Sequence, residues 1–284
     1  KIESIMRGMA IAIGLAAPIS AILLSIFVRE TPPESVLGKH EMPFLEGIKR
    51  IWSNHPMRVI IGIILIVTLA EAFRNALSLF FMRAVIQASD VGTLYFAYFA
   101  AGLLAVPFWL WLGRKLGKHI AFSITLITVA VISAVNMAFD QDNFTLFVLF
   151  FIAKGACFGG FPFLPLAILA DVIDVETAET GKARAGSYIA FASMTAKIST
   201  ALGTFLAIRA LSLTNFDAKV LSQNAFDDLM YLRVFYALIP ALFFILAIIW
   251  ALRFPLTQKA HDELRTRIDN QQGDRHKADE ATSQ

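Results

Sequence analysis

The chain has 284 residues, of which 57% are hydrophobic and 17% are charged, and its formal net charge is +3. Its mean hydropathy is +0.65. Soluble domains carry about 45–50% apolar and about 25% charged residues, so this composition excludes an ordinary water-soluble globular protein. The single cysteine, Cys157, excludes an intrachain disulfide and a zinc cluster built on cysteines.

Apolar runs along the chain predict seven membrane-spanning helices. A spanning helix needs about 20 mainly apolar residues, and the runs are separated here by charges, prolines and glycines. The predicted spans are Ile5–Val28, Val59–Gln87, Thr93–Leu112, Ile120–Phe139, Phe144–Ala170, Gly186–Leu213 and Leu229–Leu252. The sequence therefore predicts an all-α, multi-pass membrane protein.

Two segments of the chain are hydrophilic. The connector at residues 29–58 contains a short amphipathic segment, Phe44–Ser53, which suits a helix at the membrane interface. The tail from Arg253 onward is polar and charged, and we expect a short surface helix there that fades into disorder.

Basic residues are concentrated in alternate loops. They lie in the connector, in the turn Gly113–Lys118, in the loop Asp171–Ala185 and in the tail, whereas the opposite loops hold only Lys219. Cytoplasmic loops of membrane proteins carry the excess of lysine and arginine. The pattern therefore places these four segments, and with them the C-terminus, in the cytoplasm.

The second predicted span carries polar residues on one helical face. Thr68, Glu71, Asn75 and Ser78 recur at intervals of three and four residues. Arg74 follows Glu71 by three residues and can pair with it. Two interpretations stay open: the pair fixes helix packing, or the face lines a cavity.

Lys197 stands in the middle of the sixth predicted span, which is otherwise neutral. A charge at that depth costs roughly 2.5–3.5 kcal/mol on insertion scales, and such residues usually face a cavity or a partner. Small or hydroxyl residues share its helical face: Ala190, Ser193, Thr200 and Thr204. Such a stripe also suits close helix packing, but packed alanines would leave the ammonium donors without acceptors. We therefore expect Lys197 to face a hydrated pathway.

The fifth predicted span contains Lys154, two glycine positions and the prolines Pro162 and Pro165, which should kink it. Lys154 either lines the pathway or extends toward the outer interface. Arg74, Lys154 and Lys197 are three internal cations that face one internal acid, Glu71. Water, an anionic substrate or acids elsewhere in a longer protein must meet the remaining charge.

The order of motifs around Lys197 resembles a known family. An apolar helix ends in Ala-Asp-x-x-Asp (170–174), a Thr-Gly-Lys-x-Arg turn (180–184) follows, and the lysine-bearing helix comes next. This resembles the glycoside–pentoside–hexuronide:cation symporters, the melibiose-carrier branch of the major facilitator superfamily, most strongly from Ala170 to Leu202.

The resemblance implies a major facilitator fold, in which two six-helix halves are joined by a cytoplasmic loop. Residues 1–28 would be the last helix of the first half, 29–58 the central loop, 59–252 the second six-helix bundle and 253–284 a cytoplasmic tail. We accordingly expect the chain to be a piece of a longer protein, with its missing N-terminal half as a partner.

The resemblance also implies cation-coupled symport of a sugar, glycoside or related solute by alternating access in the cell membrane. A lysine at the place of Lys197 lies between the sugar site and the cation site in that family. The coupling cation, Na⁺ or H⁺, is held by acids of the first half, so no metal or other cofactor is expected on this chain. The predicted pathway residues are Lys197, Glu71, Arg74, Asn75, Lys154 and Thr200.

A cytoplasmic gate is implied at Asp171 and Asp174, which match acids that bond to arginines of the opposite half when the inward gate is shut. Lys182 and Arg184 follow them in the same loop. The aromatic-glycine pair that commonly comes next is replaced by Val175-Glu176. The alternative interpretation is a solvated loop.

Two other functions stay open: a carrier of lysophospholipids or other amphiphiles from the same branch, and a non-transporting receptor or subunit. An enzyme is not expected, because the five histidines are scattered without metal-ligand spacing. The sequence has no phosphate-binding loop, which argues against an ATP-driven pump. The expected partners are a small solute and membrane lipid, and nucleic acid is not among them.

Overall fold

The computed structural model describes residues 2–27, 52–161, 163–180, 185–221 and 224–252, and these are helical with short connections and no strand. The chain divides into two units, Lys1–Lys39 and His40–Gln284. The first unit contains α1 (Ile2–Phe27), which has Pro18 in its interior and is apolar from Gly14 to Phe27.

The described part of the second unit contains six apolar spans. Its helices are α2 (His55–Phe80, continued by a π-helical turn at Phe81–Val85), α3 (Val91–Leu116), α4 (Lys118–Val135, followed by a 3₁₀ turn at Asn136–Ala138), α5 (Phe144–Phe158), α6 (Phe163–Thr180), α7 (Ala185–Leu211) and α8 (Phe226–Ala251). Helices α5 and α6 together form one span, so six segments are long and apolar enough to cross a membrane. The all-α membrane fold is confirmed.

One predicted boundary is wrong. The fifth span was expected to end at Ala170, whereas α6 continues to Thr180. The apolar side chains of Val172, Ile173 and Val175 are buried, and this continued packing keeps the backbone helical beyond the first acidic residue. The amphipathic helix predicted at Phe44–Ser53 lies outside the described residues except for its last two. The tail from Arg253 lies wholly outside them.

Local signals explain where several helices begin. Asn54 caps α2, because its side chain accepts a hydrogen bond from the backbone N–H of Met57 at 3.2 Å. Asp90 caps α3 and accepts from the N–H of Thr93 at 3.1 Å. Hydrogen bonds from the Thr93 hydroxyl and backbone lower the pKa of the exposed Asp90 carboxyl. Gly117 separates α3 from α4 with φ of 95°, a conformation that glycine adopts without steric cost.

The core consists of two apolar clusters stacked along the helix axes. The first cluster includes Met57, Phe122, Leu169, Tyr188 and Phe244. The second cluster includes Phe81, Phe147, Leu211, Leu232 and Tyr236. Helices α2 and α7 run in the same direction, because both pass from the first cluster into the second, and α8 runs the opposite way. Helix α2 leaves the first cluster at Ala70 and enters the second at Phe73.

Glycines bring α3 and α5 into close contact. A Cβ at Gly155 would lie 2.9 Å from the Cα of Tyr98, and one at Gly159 would overlap the carbonyl of Gly102. This close approach of backbones is the way that small residues pack spanning helices in lipid. Near the end of α5, the indole Nε1 of Trp109 donates to the Ala156 carbonyl at 2.7 Å, which satisfies an acceptor near the helix end.

Candidate functional site

Three charged side chains meet at the boundary between the two apolar clusters. Glu71 and Arg74 lie on α2, and Lys154 lies on α5; we call these residues the charged triad. An Arg74 nitrogen (Nη2) lies 3.0 Å from Glu71 Oε2, and Lys154 Nζ lies 3.1 Å from Glu71 Oε1. Arg74 and Lys154 are each 2% exposed, whereas the Glu71 side chain is 13% exposed. One carboxylate thus bridges two buried cations, and the triad carries a formal charge of +1.

Aromatic and amide groups complete the surroundings of the triad. The second terminal nitrogen of Arg74 donates to the Tyr236 hydroxyl at 3.3 Å. Asn75 Oδ1 accepts from Arg74 at 2.7 Å. Lys154 Nζ lies 5.8 Å from the centre of the Phe244 ring, within the range of a cation–π contact. Because Asn75 is exposed and Glu71 partly so, the triad opens on the side of these two residues.

The structure distinguishes between the two interpretations of Lys154. Its ammonium is buried against Glu71, so the alternative in which it extends toward the interface is wrong. Glu71 and Lys154 are 83 positions apart, and their pairing requires α2 and α5 to meet at this depth. The sequence did indicate a shortage of acidic partners, because the predicted spans contain three internal cations and one internal acid, Glu71. The i,i+3 pair of Glu71 with Arg74 is present as predicted.

Lys197 lies apart from the triad, on the exposed side of α7. The packed face of that helix is formed by Tyr188, Ala192, Ser199, Gly203, Ala207 and Leu211. A Cβ on Gly203 would lie 2.5 Å from the Leu69 carbonyl of α2, so this face is in close contact with α2. Lys197 itself is exposed, as are the residues that share its side of the helix, namely Ala190, Ser193, Thr200 and Thr204. We call these five residues the polar stripe.

Besides the packed face and the polar stripe, α7 has a third side, which carries large apolar side chains. Met194, Ile198 and Phe205 are exposed there. Thr200 satisfies its hydroxyl within the helix, because it donates to the Ala196 carbonyl at 2.9 Å. Lys197 has no comparable partner among the described residues, since no ion pair or hydrogen bond joins it to them. Among the described residues of the second unit, none covers the polar stripe at Lys197.

The predicted gate residues lie on a helix. Asp171 and Asp174 belong to α6, so their expected position at a helix end and in the following loop is wrong. Both Asp171 carboxylate oxygens accept from Lys118 Nζ, at 2.6 and 2.8 Å. The resemblance implied arginines of the opposite half as partners; Lys118, at the start of α4, is an additional partner that sequence reasoning missed. The sequence feature that could have indicated Lys118 as a partner is the basic turn between α3 and α4, to which it belongs. Asp174 is exposed, and Lys182 and Arg184 lie outside the described residues.

Metal binding finds no support in the described part of the chain. No group of three or more histidine, cysteine, aspartate or glutamate side chains there could hold a metal ion. The described site offers fixed charges, hydrogen-bond donors and aromatic faces within membrane-spanning helices.

Comparison with known proteins agrees with this architecture. A family model described as MFS/sugar transport protein matches residues 2–258. The chain is similar to an uncharacterized symporter of Synechocystis, with 24% identity over 83% of this chain and 44% of that protein. It is also similar to a sphingosine-1-phosphate transporter of Xenopus tropicalis, with 24% identity over 88% of this chain and 49% of that protein. The chain spans about half the length of these curated relatives. Together with its six apolar spans, the family match over most of its length shows that the chain belongs to the MFS/sugar transport protein family.

Proposed function

We propose that this chain is part of a secondary transporter that couples the movement of a sugar, glycoside or related small solute to Na⁺ or H⁺. The observation that carries the proposal is the position of Lys197. This charged residue lies near the middle of a spanning helix, and its side chain is exposed on the surface of the described bundle. Exposure to lipid at that depth would cost roughly 2.5–3.5 kcal/mol. A water-filled pathway or a polar partner removes that cost.

The other side chains of the polar stripe support a pathway. Hydroxyl and small residues above and below Lys197 give a face on which water and solute hydroxyls find hydrogen-bond partners. Lys197 stands six residues before Gly203, about 9 Å along the helix axis. Gly203 packs against α2 at Leu69–Phe73, the level of the charged triad. Both groups of charge therefore lie in the central part of the bundle, the depth at which secondary transporters bind their substrates.

Two observations support cation coupling: the similarity to a symporter and the ammonium group of Lys197. One relative of this chain is named as a symporter. Alternating access requires that solute and ion bias the same conformational equilibrium, and a mobile ammonium between two sites can interact with both. Lysine suits this role because its ammonium is a compact donor on a flexible stem.

The proposal is tested by replacing Lys197 in the full-length carrier, reconstituted in vesicles with an imposed cation gradient. We expect Lys197→Leu to insert at least as well as the wild type, because an insertion cost of about 3 kcal/mol disappears, but to lose gradient-driven uptake. Lys197→Arg keeps the charge in a larger planar group, so it should not restore normal coupling. Arg209→Leu, at the end of the same helix, is the matched control and should retain uptake.

Normal uptake by Lys197→Leu would reduce this lysine to a tolerated structural cation. Equal losses in Lys197→Leu and Arg209→Leu would show that α7 is sensitive to any change of charge. Thermal unfolding in detergent, measured alongside, reports whether each variant keeps its fold.

A second candidate function is the transport of an amphiphile with an anionic headgroup. The similarity to a sphingosine-1-phosphate transporter favours it, and so do the exposed apolar side chains beside the polar stripe, Met194, Ile198 and Phe205. A cation next to an apolar track suits a headgroup attached to a chain. Uptake of a radiolabelled galactoside and of radiolabelled sphingosine-1-phosphate in the same vesicles separates the two functions. We expect the galactoside to be accumulated; movement of the lipid alone would establish the second function instead.

A further inference from the structure

The charged triad has more hydrogen-bond donors than acceptors. The Nε of Arg74 is buried and has no acceptor among the described residues. The Lys154 ammonium carries three N–H donors, and its one carboxylate neighbour in the described part of the chain is Glu71. The neutral acceptors around Arg74 are the hydroxyl of Tyr236 and the amide oxygen of Asn75. Donors are therefore left over on both cations.

The triad also has an excess of charge. Two buried cations share one carboxylate, and in the described residues no second acid pairs with either of them. A buried charge without a counter-charge is costly. The rings of Phe244 and Tyr236 face the cations, but aromatic faces compensate only a fraction of a full charge. One further monovalent anion would make the site neutral.

We propose that Arg74 and Lys154 form an anion-binding site within the bundle, which takes a single carboxylate or phosphate group beside Glu71 or in exchange with it. A planar guanidinium and a compact ammonium from two different helices suit an oxyanion, since each contacts a different oxygen. Glu71 already shows this arrangement, with one oxygen on each cation. Its carboxylate is the internal occupant of the site.

Access to the site is on the side of Asn75. Asn75 is exposed and Glu71 is partly so, while the two cations are buried behind them. An incoming anion thus meets Glu71 first; binding beside Glu71 neutralises the triad, whereas binding in its place keeps both cations paired but leaves the net charge of the pair unchanged. The anion is either free in solution or an acidic group on the transported solute. The second source rests on the proposed function, whereas binding itself does not.

The site is tested by removing its internal occupant and supplying a carboxylate from solution. In the purified full-length carrier, Glu71→Ala leaves two buried cations without a counter-charge, so we expect a lower melting temperature in detergent. Sodium acetate should raise that melting temperature saturably. Sodium pivalate at the same concentration has the same charge and ionic strength but a bulkier body, and it should have little effect.

Three further variants make the test specific. Glu71→Ala/Lys154→Met should bind acetate about tenfold or more weakly, because half of the cationic pair is gone. Asp174→Ala removes an exposed acid of α6 but keeps the triad, so its response to acetate should be no larger than that of the wild type. If Glu71→Ala does not fold, Glu71→Gln keeps the side-chain volume and should respond to acetate in the same direction. The proposal is overturned if neither Glu71 variant responds saturably and more strongly than the wild type, or if Asp174→Ala gains as much response over the wild type as the Glu71 variants do.

Wild-type protein distinguishes the two sources of the anion. Stabilisation by galacturonate that exceeds that by acetate, with no effect of galactose, would show that the site binds a solute-borne carboxylate. Equal stabilisation by acetate, inorganic phosphate and galacturonate would show a site for free anions. In both cases Lys154→Met should abolish the effect. A full response in Lys154→Met would place the anion elsewhere and overturn the assignment. Because binding is measured without transport, failure of this test leaves the Lys197 experiment unaffected.

Discussion

At Glu71, one side chain links two helices that make few other contacts with each other. Its carboxylate joins Arg74 on its own helix to Lys154 on α5, at the boundary between the two apolar clusters of the core. An ion pair in this position contributes little net stability compared with apolar packing, but removal of one partner costs about 3–5 kcal/mol. The triad therefore links α2 to α5 at one depth and adds little to the net stability of the bundle.

Gly155 determines how closely α3 and α5 approach each other. A Cβ there would lie 2.9 Å from the Cα and carbonyl carbon of Tyr98, so Gly155→Ala must push α3 and α5 apart. Overpacking of this kind costs about 1–3 kcal/mol, which exceeds the gain in helix propensity of about 1 kcal/mol. We expect a lower melting temperature in detergent.

The control for that substitution is Gly186→Ala on α7, where a Cβ would meet nothing within 4 Å. It should leave the melting temperature unchanged or raise it slightly, because alanine is the better helix former. Equal destabilisation by the two substitutions would contradict the close contact of α3 with α5.

Single residues mark the limit of what the sequence can predict. The cost of burying charge identified Glu71, Arg74, Lys154 and Lys197 as residues that need partners. Periodicity also predicted the pairing of Glu71 with Arg74, because both lie on one helix. The pairing of Lys154 with Glu71 could not be predicted, since these residues lie on different helices and the glycines near Lys154 indicate close packing without indicating which helix faces the lysine.

At the scale of elements, apolar length predicted the spans well and their ends less well. The start of α7 was correct within one residue, because the neutral run begins at Ala185. The end of α6 was misplaced by ten residues, since acidic residues were taken to terminate the helix although Val172, Ile173 and Val175 continue its apolar face. Of the acids in this stretch, Asp174 is exposed, Asp171 pairs with Lys118, and Glu176 is buried, so the helix accommodates them in three different ways.

The contact between α4 and α6 gives a prediction for the gate. Lys118 and Asp171 are both partly exposed, and exposed ion pairs contribute only about 0–1 kcal/mol. We therefore expect Asp171→Asn in the full-length carrier to change the melting temperature little and yet to reduce solute uptake, because it weakens the closed state without removing the binding site. Solute binding to the purified protein should persist.

A charge reversal tests whether Lys118 is the partner of Asp171 that matters for uptake. In Lys118→Asp/Asp171→Lys the local pair is rebuilt with the charges exchanged, and we expect it to recover more uptake than either single substitution. If the double variant is well folded and remains as inactive as Asp171→Asn, the functional partner of Asp171 lies in another part of the carrier. Asp174→Asn, at an exposed position of the same helix, shows whether the second acid contributes independently.

At the scale of the whole molecule, the second unit presents its charges at two levels. Basic residues such as Lys115 and Lys118 lie at the ends of the helices, and the charged triad lies between the apolar clusters. The α3–α4 turn lies at the same end as the start of α2 and of α7, because Leu112, Ala121, Met57 and Tyr188 belong to one cluster. The opposite end contains the connection between α7 and α8, where Lys219 is exposed.

Orientation in the membrane follows from this arrangement. In the sequence, the excess of lysine and arginine lies in the connector, the α3–α4 turn, the loop Asp171–Ala185 and the tail, so we expect the end that contains the α3–α4 turn to face the cytoplasm. A cysteine at Lys115 in an otherwise cysteine-free carrier, which includes Cys157→Ala, should resist a membrane-impermeant maleimide in intact cells. A cysteine at Lys219 should react under the same conditions.

Permeabilised cells provide the control for this labelling. The cysteine at Lys115 should then react as well, because Lys115 is exposed on the protein and is protected only by the membrane. Both positions belong to one compact unit of six spans and lie at opposite ends of it, so they must show opposite accessibility. Labelling of Lys115 from outside together with protection of Lys219 would invert the orientation, and with it the assignment of Asp171 to an inward gate. Labelling of both positions in intact cells would contradict a six-span bundle.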